Sequence, residues 1–152
     1  MYTGTMDAEP AFVDTNVLVY ASRALAPMHH VAFASLQRAR EKERPLWLSR
    51  QILREYLAVV TRPQFQFPAL DATAARTDVE NFMRDFNIAE EGPQVTTALL
   101  DVLMRHRCSG KQVHDANIVA TMLTHGLRRL LTFNTADFLR FAGLVELEPL
   151  PP

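Results

Sequence analysis

The chain has few of the residues that characterise disulfide-rich, membrane-spanning or repetitive proteins. Cys108 is the only cysteine among 152 residues, which excludes an intrachain disulfide and a cysteine-rich zinc site. The apolar runs, such as residues 17–21, are far shorter than the ~20 residues that cross a bilayer. There is no internal repeat, low-complexity tract or Gly/Ser linker. These absences predict one compact domain in a reducing, cytoplasmic setting.

The net charge of the chain does not indicate what kind of partner the protein binds. Lysines and arginines number 16 against 17 aspartates and glutamates, so no overall attraction to nucleic acid or membranes is expected. Residues 1–10 carry Asp7 and Glu9 and lack the basic and apolar pattern of a secretion signal. We expect residues 1–10 to form an N-terminal leader and residues 11–152 to form the domain.

Short apolar strands alternate with helices along the sequence. Strands are expected at residues 11–13, 46–48, 87–90, 130–132 and 145–147, and helices at 17–21, 29–43, 49–61, 71–86, 93–107, 113–125 and 135–141. This alternation predicts an α/β fold with a parallel sheet covered on both faces. In such a sheet the ligand site lies outside the carboxyl ends of the strands.

Several carboxylates lie where a parallel sheet binds its ligands. Asp14 directly follows the first strand, where it can serve as a ligand or simply cap the next helix. Glu55 lies at the rim of the apolar stripe of its predicted helix, and Asp115 lies in a row of core-facing residues. A carboxylate in such a place needs a partner, because burying an unpaired charge is costly.

Asn134 and Asp137 follow the strand predicted over residues 130–132. They can form a reciprocal helix cap, which would be a purely structural role. Alternatively they belong to a site, since Asn134 and Asp14 both follow strands and should reach the same edge of the sheet. Several carboxylates at one edge repel one another unless protons or cations intervene. Oxygen ligands favour Mg²⁺ or Mn²⁺, and such an ion suggests phosphodiester hydrolysis.

Four segments of the sequence are similar to the motifs of a known family. They are residues 12–18 (FVDTNVL), 49–55 (SRQILRE) with Leu57 and Val60 behind, 114–120 (HDANIVA) and 131–138 (LTFNTADF). Each motif is short, but their order and spacing together are specific. Over residues 11–147 the chain resembles the PIN-domain ribonucleases, and within them the VapC-type toxins of bacterial and archaeal toxin–antitoxin pairs.

The resemblance implies a three-layer α/β/α fold around a parallel sheet. It implies that the catalytic acids, which also bind Mg²⁺ or Mn²⁺, are Asp14, Glu55, Asp115 and Asp137. It implies that Asn16 and Asn134, and to a lesser extent Thr15, hold those carboxylates in place. Family members cut RNA and leave a 5′-phosphate and a 3′-hydroxyl. Many form homodimers, and a cognate antitoxin inhibits them with a tail that enters the acidic groove.

Cleavage of RNA in an acidic groove requires positive charge around its rim, because phosphates must be drawn past the carboxylates. The basic candidates are Arg50, Arg54, Arg62, Arg105, Arg107, Lys111 and His114, although surface arginines are often only solubilising. Phe65 and Phe67, in a proline-flanked loop, can either stack on bases or cover a dimer contact.

Three other functions could use the same residues. A phosphatase would use Asp14 as its nucleophile, but Asn16 stands where its second acid is expected. A DNA nuclease would share the metal chemistry, because an activated water and not the 2′-hydroxyl attacks the phosphate. A non-catalytic binding module on the same fold would have gaps in the acidic set, whereas all four acids are present. The leading hypothesis is a metal-dependent endoribonuclease that acts as the toxin of a toxin–antitoxin pair.

Overall fold

The computed structural model describes residues 9–150, so all but the last two residues of the predicted leader lie outside the described residues. Strands and helices alternate as predicted. The elements are β1 (Ala11–Val13), α1 (Thr15–Ser22), α2 (His29–Glu41), β2 (Leu46–Ser49), α3 (Arg50–Val60), α4 (Ala72–Asp85), β3 (Asn87–Ala89), α5 (Pro93–His106), α6 (Gln112–Thr124), β4 (Arg129–Thr132), α7 (Thr135–Phe138) and β5 (Glu146–Pro149), with a 3₁₀ turn at Leu139–Phe141.

The strands form a five-stranded parallel sheet in the order β3-β2-β1-β4-β5. The chain runs outward from β1 through β2 to β3, then returns to the other side of β1 to form β4 and β5. The carboxyl ends of β1 and β4 are therefore the topological switch point of the sheet. In open α/β sheets this is the place where a crevice for ligands forms.

Helices cover both faces of the sheet. Ala11, Phe12 and Val13 of the central strand β1 are all fully buried, and successive strand residues point to opposite faces, so neither face is open to solvent at this strand. Helix α1 packs against α2 and α3, α3 packs against α4, and α5 packs against α6. The predicted three-layer α/β/α fold is confirmed. No helix within residues 9–150 is long and apolar enough to span a membrane.

Local hydrogen bonds explain where several helices begin and end. The Ser49 hydroxyl accepts a hydrogen bond from the Ile52 amide at the start of α3 (3.4 Å), and Asp71 accepts one from the Ala74 amide at the start of α4 (2.8 Å). Gly126 follows α6 with a φ of 67°, a left-handed conformation that glycine adopts without strain. These caps and this stop lie where the sequence predicts them.

The last two elements differ from the sequence prediction. The helix predicted over residues 135–141 is a single α-turn, α7, followed by the 3₁₀ turn. Strand β5 begins and ends later than residues 145–147, because its bounds follow the hydrogen-bonding partners on β4. Leu147 pairs with Leu130 and Pro149 pairs with Thr132. Pairing with a neighbouring strand is a tertiary contact that the local apolar pattern does not contain.

A buried tyrosine joins three helices, α1, α3 and α4. Tyr56 of α3 is fully buried, and its hydroxyl donates a hydrogen bond to Asp78 of α4 (2.6 Å). The same hydroxyl lies 2.8 Å from the hydroxyl of Ser22, the last residue of α1. Burial and the hydrogen bond to Asp78 hold the pKa of Tyr56 well above its usual value, so the phenol stays protonated. This network fixes α3 relative to its two neighbours.

We expect Tyr56→Phe to lower the free energy of unfolding by about 1–3 kcal/mol, because the half-buried Asp78 carboxylate loses its donor. Urea denaturation monitored by circular dichroism measures this change. Tyr20→Phe is the control, since the Tyr20 hydroxyl makes no hydrogen bond to any residue in the described range. A loss of equal size in both variants would contradict a structural role for the Tyr56 network.

Candidate acidic active site

The carboxyl ends of β1 and β4 open into a cavity of about 520 Å³. All four predicted acids line it, together with the three predicted supporting residues: Asp14, Glu55, Asp115, Asp137, Thr15, Asn16 and Asn134. These residues come from four separate segments of the chain. The sheet topology and the helices packed beside it thus bring the predicted set to one place.

Asp14 is the most buried of these acids, with 6% of its surface exposed. The backbone amide of Thr15 donates a hydrogen bond to Oδ1 (2.8 Å), and the Thr132 hydroxyl donates one to Oδ2 (2.7 Å). Burial, together with the smaller effect of the charges of Glu55 and Asp137, raises the pKa of Asp14 to about 6, although these two hydrogen bonds lower it. Asp14 does cap α1 locally, but its second oxygen is held by a residue of β4.

Thr15 holds two of the carboxylates at once. Its backbone amide bonds Asp14, and its hydroxyl donates to Oε2 of Glu55 on α3 (2.6 Å). The other oxygen of Glu55, Oε1, accepts a hydrogen bond from the side-chain amide of Gln51 (2.8 Å). Each oxygen of Asp14 and Glu55 therefore has one neutral donor, which leaves further lone pairs for a ligand.

Asp115 and Asp137 accept no hydrogen bond from the residues that the structure describes. Asp115 lies in the first turn of α6 and is half-buried, and Asp137 lies in the first turn of α7 and is exposed. Burial, together with the charges of Asp137, Asp14 and Glu55, raises the pKa of Asp115 to about 6. The four carboxylates that line this cavity therefore repel one another.

The two asparagines occupy different environments in the same cavity. The Asn134 side chain makes no capping hydrogen bond to α7, so the alternative of a reciprocal cap with Asp137 is wrong. Asn16 Oδ1 accepts a hydrogen bond from the Phe133 amide (3.3 Å), which ties α1 to the turn after β4. Asn16 Nδ2 is buried without a partner among the described residues. This amide is a donor available to an oxygen in the cavity.

The donor chemistry of the cavity fits a hard divalent cation. Within residues 9–150, no three Asp, Glu, His or Cys side chains are already grouped as ligands of one ion. The four acids that line the cavity nevertheless repel one another, and they offer only oxygen atoms. A cation between them would relieve the repulsion that raises the pKa values of Asp14 and Asp115. Such oxygen ligands suit Mg²⁺ or Mn²⁺.

Arg62 is the one basic RNA-binding candidate that lines the cavity, and Phe67 lines it too. Its Nε donates to the carbonyl of Ala58 (2.9 Å), and its terminal nitrogens remain available. Arg50 forms an ion pair with Glu90 (2.6 Å) outside the cavity. Three further RNA-binding candidates are exposed and also lie outside the cavity: Arg54, Lys111 and His114. Phe67 is buried under Arg23, whereas Phe65 is fully exposed.

Two contacts of the site were not predicted from the sequence. Thr132 holds Asp14, and Gln51 holds Glu55. A signal existed for each. Thr132 ends a strand two residues before Asn134, at the edge where the site was expected. Gln51 lies four residues before Glu55, so the side chains of Gln51 and Glu55 lie on the same face of their helix.

A parallel sheet with helices on both faces and a cluster of acids at its switch point defines an α/β protein with an acidic cavity. The PIN domain family model matches residues 11–144. The chain therefore belongs to the PIN domain family, and the predicted resemblance to that family is confirmed. A search of curated protein sequences gives no significant match.

Solved structures of toxin–antitoxin proteins share this fold. VapBC2 from Rickettsia felis, bound to a DNA fragment from its promoter, superposes with a TM-score of 0.69 at 17% identity, covering 93% of this chain and 99% of that one. VapC20 from Mycobacterium tuberculosis, described as a Sarcin-Ricin loop cleaving toxin, gives 0.65 at 20% identity, with 91% and 99% covered. A toxin–antitoxin complex from Klebsiella pneumoniae gives 0.61 at 22% identity, with 89% and 95% covered.

We expect Asp14→Asn to stabilise the metal-free protein at pH 7. A pKa raised from 3.8 to about 6 means that the native state binds the proton more tightly than the unfolded chain. The free energy of unfolding therefore falls as the pH rises through that range, by on the order of 3 kcal/mol for this group. Asparagine does not titrate, so the variant does not lose this part of the free energy of unfolding as the pH rises.

Thermal melts in EDTA between pH 4 and pH 8 measure the effect. Wild type should lose stability relative to Asp14→Asn as the pH rises, and the two curves should approach each other near pH 4. Asp101→Asn, at an exposed residue of α5, is the control and should follow wild type. Parallel curves for wild type and Asp14→Asn would contradict the raised pKa.

Proposed function

We propose that this protein is a metal-dependent endoribonuclease and the toxin of a toxin–antitoxin pair. The observation that carries the proposal is the convergence of four mutually repelling carboxylates on one open cavity at the switch point of the sheet. Membership of the PIN domain family supports nuclease activity at this cavity. The intact acidic set argues against a binding module that has lost its catalytic residues.

The residues that would hold Mg²⁺ or Mn²⁺ are Asp14, Glu55, Asp115 and Asp137. The ion would activate a water and stabilise the charge that develops on the phosphate. Thr15 and Thr132 keep Asp14 oriented by their hydrogen bonds, and Asn16 offers its unpartnered amide to an oxygen in the cavity. Attack by water on the phosphorus breaks its bond to the 3′-oxygen, which leaves a 5′-phosphate and a 3′-hydroxyl.

The wall of the cavity beyond the acids suits a nucleic acid strand. It carries the guanidinium of Arg62, the amides of Gln64 and Gln66 and the ring of Tyr20. A guanidinium attracts phosphate, amides bond base edges, and aromatic rings stack on unpaired bases. RNA is the proposed substrate, which the Sarcin-Ricin loop cleaving toxin among the structural neighbours also supports.

The structural neighbours also support the proposed partners. Two of them are complexes of a toxin with its antitoxin. We propose that a cognate antitoxin inhibits this protein by covering the acidic cavity, and that the protein acts in the cytoplasm as a homodimer.

We expect Asp14→Asn and Asp115→Asn each to reduce RNA cleavage by about a hundredfold or more, because each removes a charged oxygen ligand. End-labelled total RNA and single-stranded DNA are incubated with antitoxin-free protein in Mg²⁺, Mn²⁺ or EDTA. Cleavage of RNA should require metal and should persist in the control Asp101→Asn. Full activity in either site variant would refute the assignment of the acids. Cleavage of DNA alone would make the protein a DNA nuclease.

We expect Arg62→Ala to weaken RNA binding and to reduce its dependence on salt. Loss of one phosphate contact should lower the slope of log K against log salt by about 0.7 for a single strand. Fluorescence anisotropy with labelled RNA, in the Asp115→Asn background to prevent cleavage, measures both quantities. The matched control is Arg76→Ala, at an arginine of α4 that is paired with Glu80. If the slope of log K against log salt is the same in the two variants, Arg62 does not contact a phosphate of the RNA.

A further inference from the structure

Gln51 connects the two helices that carry Glu55 and Asp115. It lies in the first turn of α3, and only 5% of its surface is exposed. Its Nε2 donates to Oε1 of Glu55 (2.8 Å) and to the backbone carbonyl of His114 in α6 (2.9 Å). Its Oε1 accepts a hydrogen bond from Asn117 Nδ2 (2.7 Å). One side-chain amide therefore contacts both helices.

These contacts determine the orientation of the Gln51 amide. Both hydrogens of Nε2 point to oxygen acceptors, and Oε1 faces a nitrogen donor. Rotation of the amide by 180° would place Oε1 against the Glu55 carboxylate and the His114 carbonyl. Each such contact would be repulsive, so the hydrogen-bond network allows one orientation only.

The contact with Gln51 also limits the movement of the Glu55 carboxylate. Glutamate has three rotatable side-chain bonds, and Thr15 holds only one of its oxygens, Oε2. With that single bond the carboxylate could still turn about its own axis. The bond from Gln51 to Oε1 holds the second oxygen, so two donors from two helices fix the carboxylate plane.

The same amide fixes the start of α6 beside Glu55. The carbonyl that it bonds belongs to His114, the residue immediately before Asp115. Asn117, in the same helical turn, provides a second attachment through Gln51 Oε1 and also donates to Glu91 (3.3 Å). The backbone that carries Asp115 is thus joined to the helix that carries Glu55.

We propose that Gln51 is a positioning residue, which sets the orientation of the Glu55 carboxylate and its placement relative to Asp115 for cation binding. The proposal rests on the proposed function, since it concerns the same four acids. Gln51 acts only through Glu55 and α6, because its own amide has no free hydrogen for a substrate. Residues that orient metal ligands typically change metal affinity or activity by about 10- to 100-fold when they are removed.

The test uses Gln51→Met, which keeps the length of the side chain and removes its hydrogen bonds. Isothermal titration calorimetry with MnCl₂ measures cation binding without RNA, and cleavage of a labelled RNA gives kcat and KM. We expect the Kd for Mn²⁺ to rise about 10- to 100-fold and kcat to fall, with KM within about twofold of wild type. Asn117→Ala, which removes the donor to Gln51 Oε1 and the longer contact with Glu91, should shift the Kd in the same direction but less.

Tyr56→Phe is the matched control, because it removes a buried hydrogen bond from the same helix without touching an acid of the cavity. It should lower the melting temperature and leave the Kd for Mn²⁺ within about twofold of wild type. A folded Gln51→Met with the Kd and kcat of wild type would overturn the proposal. A rise in Kd of equal size in Tyr56→Phe would also overturn it, since general loosening of α3 would then explain the effect. If Gln51→Met does not fold, Asn117→Ala decides by the same criterion.

Asp115→Asn separates this proposal from the proposed function. If wild type binds Mn²⁺ and Asp115→Asn binds it much more weakly, the assignment of the acids as cation ligands is supported. The results for the Gln51 and Asn117 variants then test only the positioning role of Gln51. If wild type fails to bind Mn²⁺, or if Asp115→Asn binds it as wild type does, both the proposed function and the positioning role are wrong.

Discussion

Repulsion among carboxylates that cannot move apart is the constraint on which this site depends. Asp14 is buried, Asp115 is half-buried, and the pKa of each is raised to about 6 by burial and by neighbouring acids. The surrounding protein only partly offsets this cost. Neutral donors from Thr15, Thr132 and Gln51 hold two of the acids, and within residues 9–150 no cationic side chain forms an ion pair with these two. Such a cavity suits the binding of a cation from solution, as proposed above.

The sheet topology explains why such a costly arrangement can form. Asp14 and Thr132 are far apart in the chain, but Asp14 directly follows β1 and Thr132 ends the neighbouring parallel strand β4. The Asp14 amide donates to the carbonyl of Leu131 (3.0 Å). Backbone pairing between β1 and β4 therefore places the first acid. The stability of the sheet and its helical layers offsets the cost of the acids, as is common where strain or repulsion serves a function.

Two adjacent residues of helix α3 make contacts in different parts of the protein, one with neighbouring helices and the other at the cavity. Tyr56 points to Ser22 and Asp78 and holds α3 against α1 and α4. Glu55, one residue earlier, points to Thr15 and Gln51 at the cavity. A helix turns by about 100° per residue, so adjacent side chains face different surroundings. The network around Tyr56 can thus hold the helix without taking part in the chemistry of the site.

The sequence by itself determined the features that depend on local contacts and on periodicity. It predicted the alternation of strands and helices, the caps at Ser49 and Asp71 and the stop at Gly126, because each follows from neighbouring residues. The family motifs also identified the four acids that line the cavity. Only the tertiary structure decided the bounds of β5, the absence of a cap by Asn134, the placement of Arg62 rather than Arg50 at the cavity, and the contacts of Gln51 and Thr132. These features depend on which distant segments meet, and a buried amide finds its partners only when the helices that carry them have packed together.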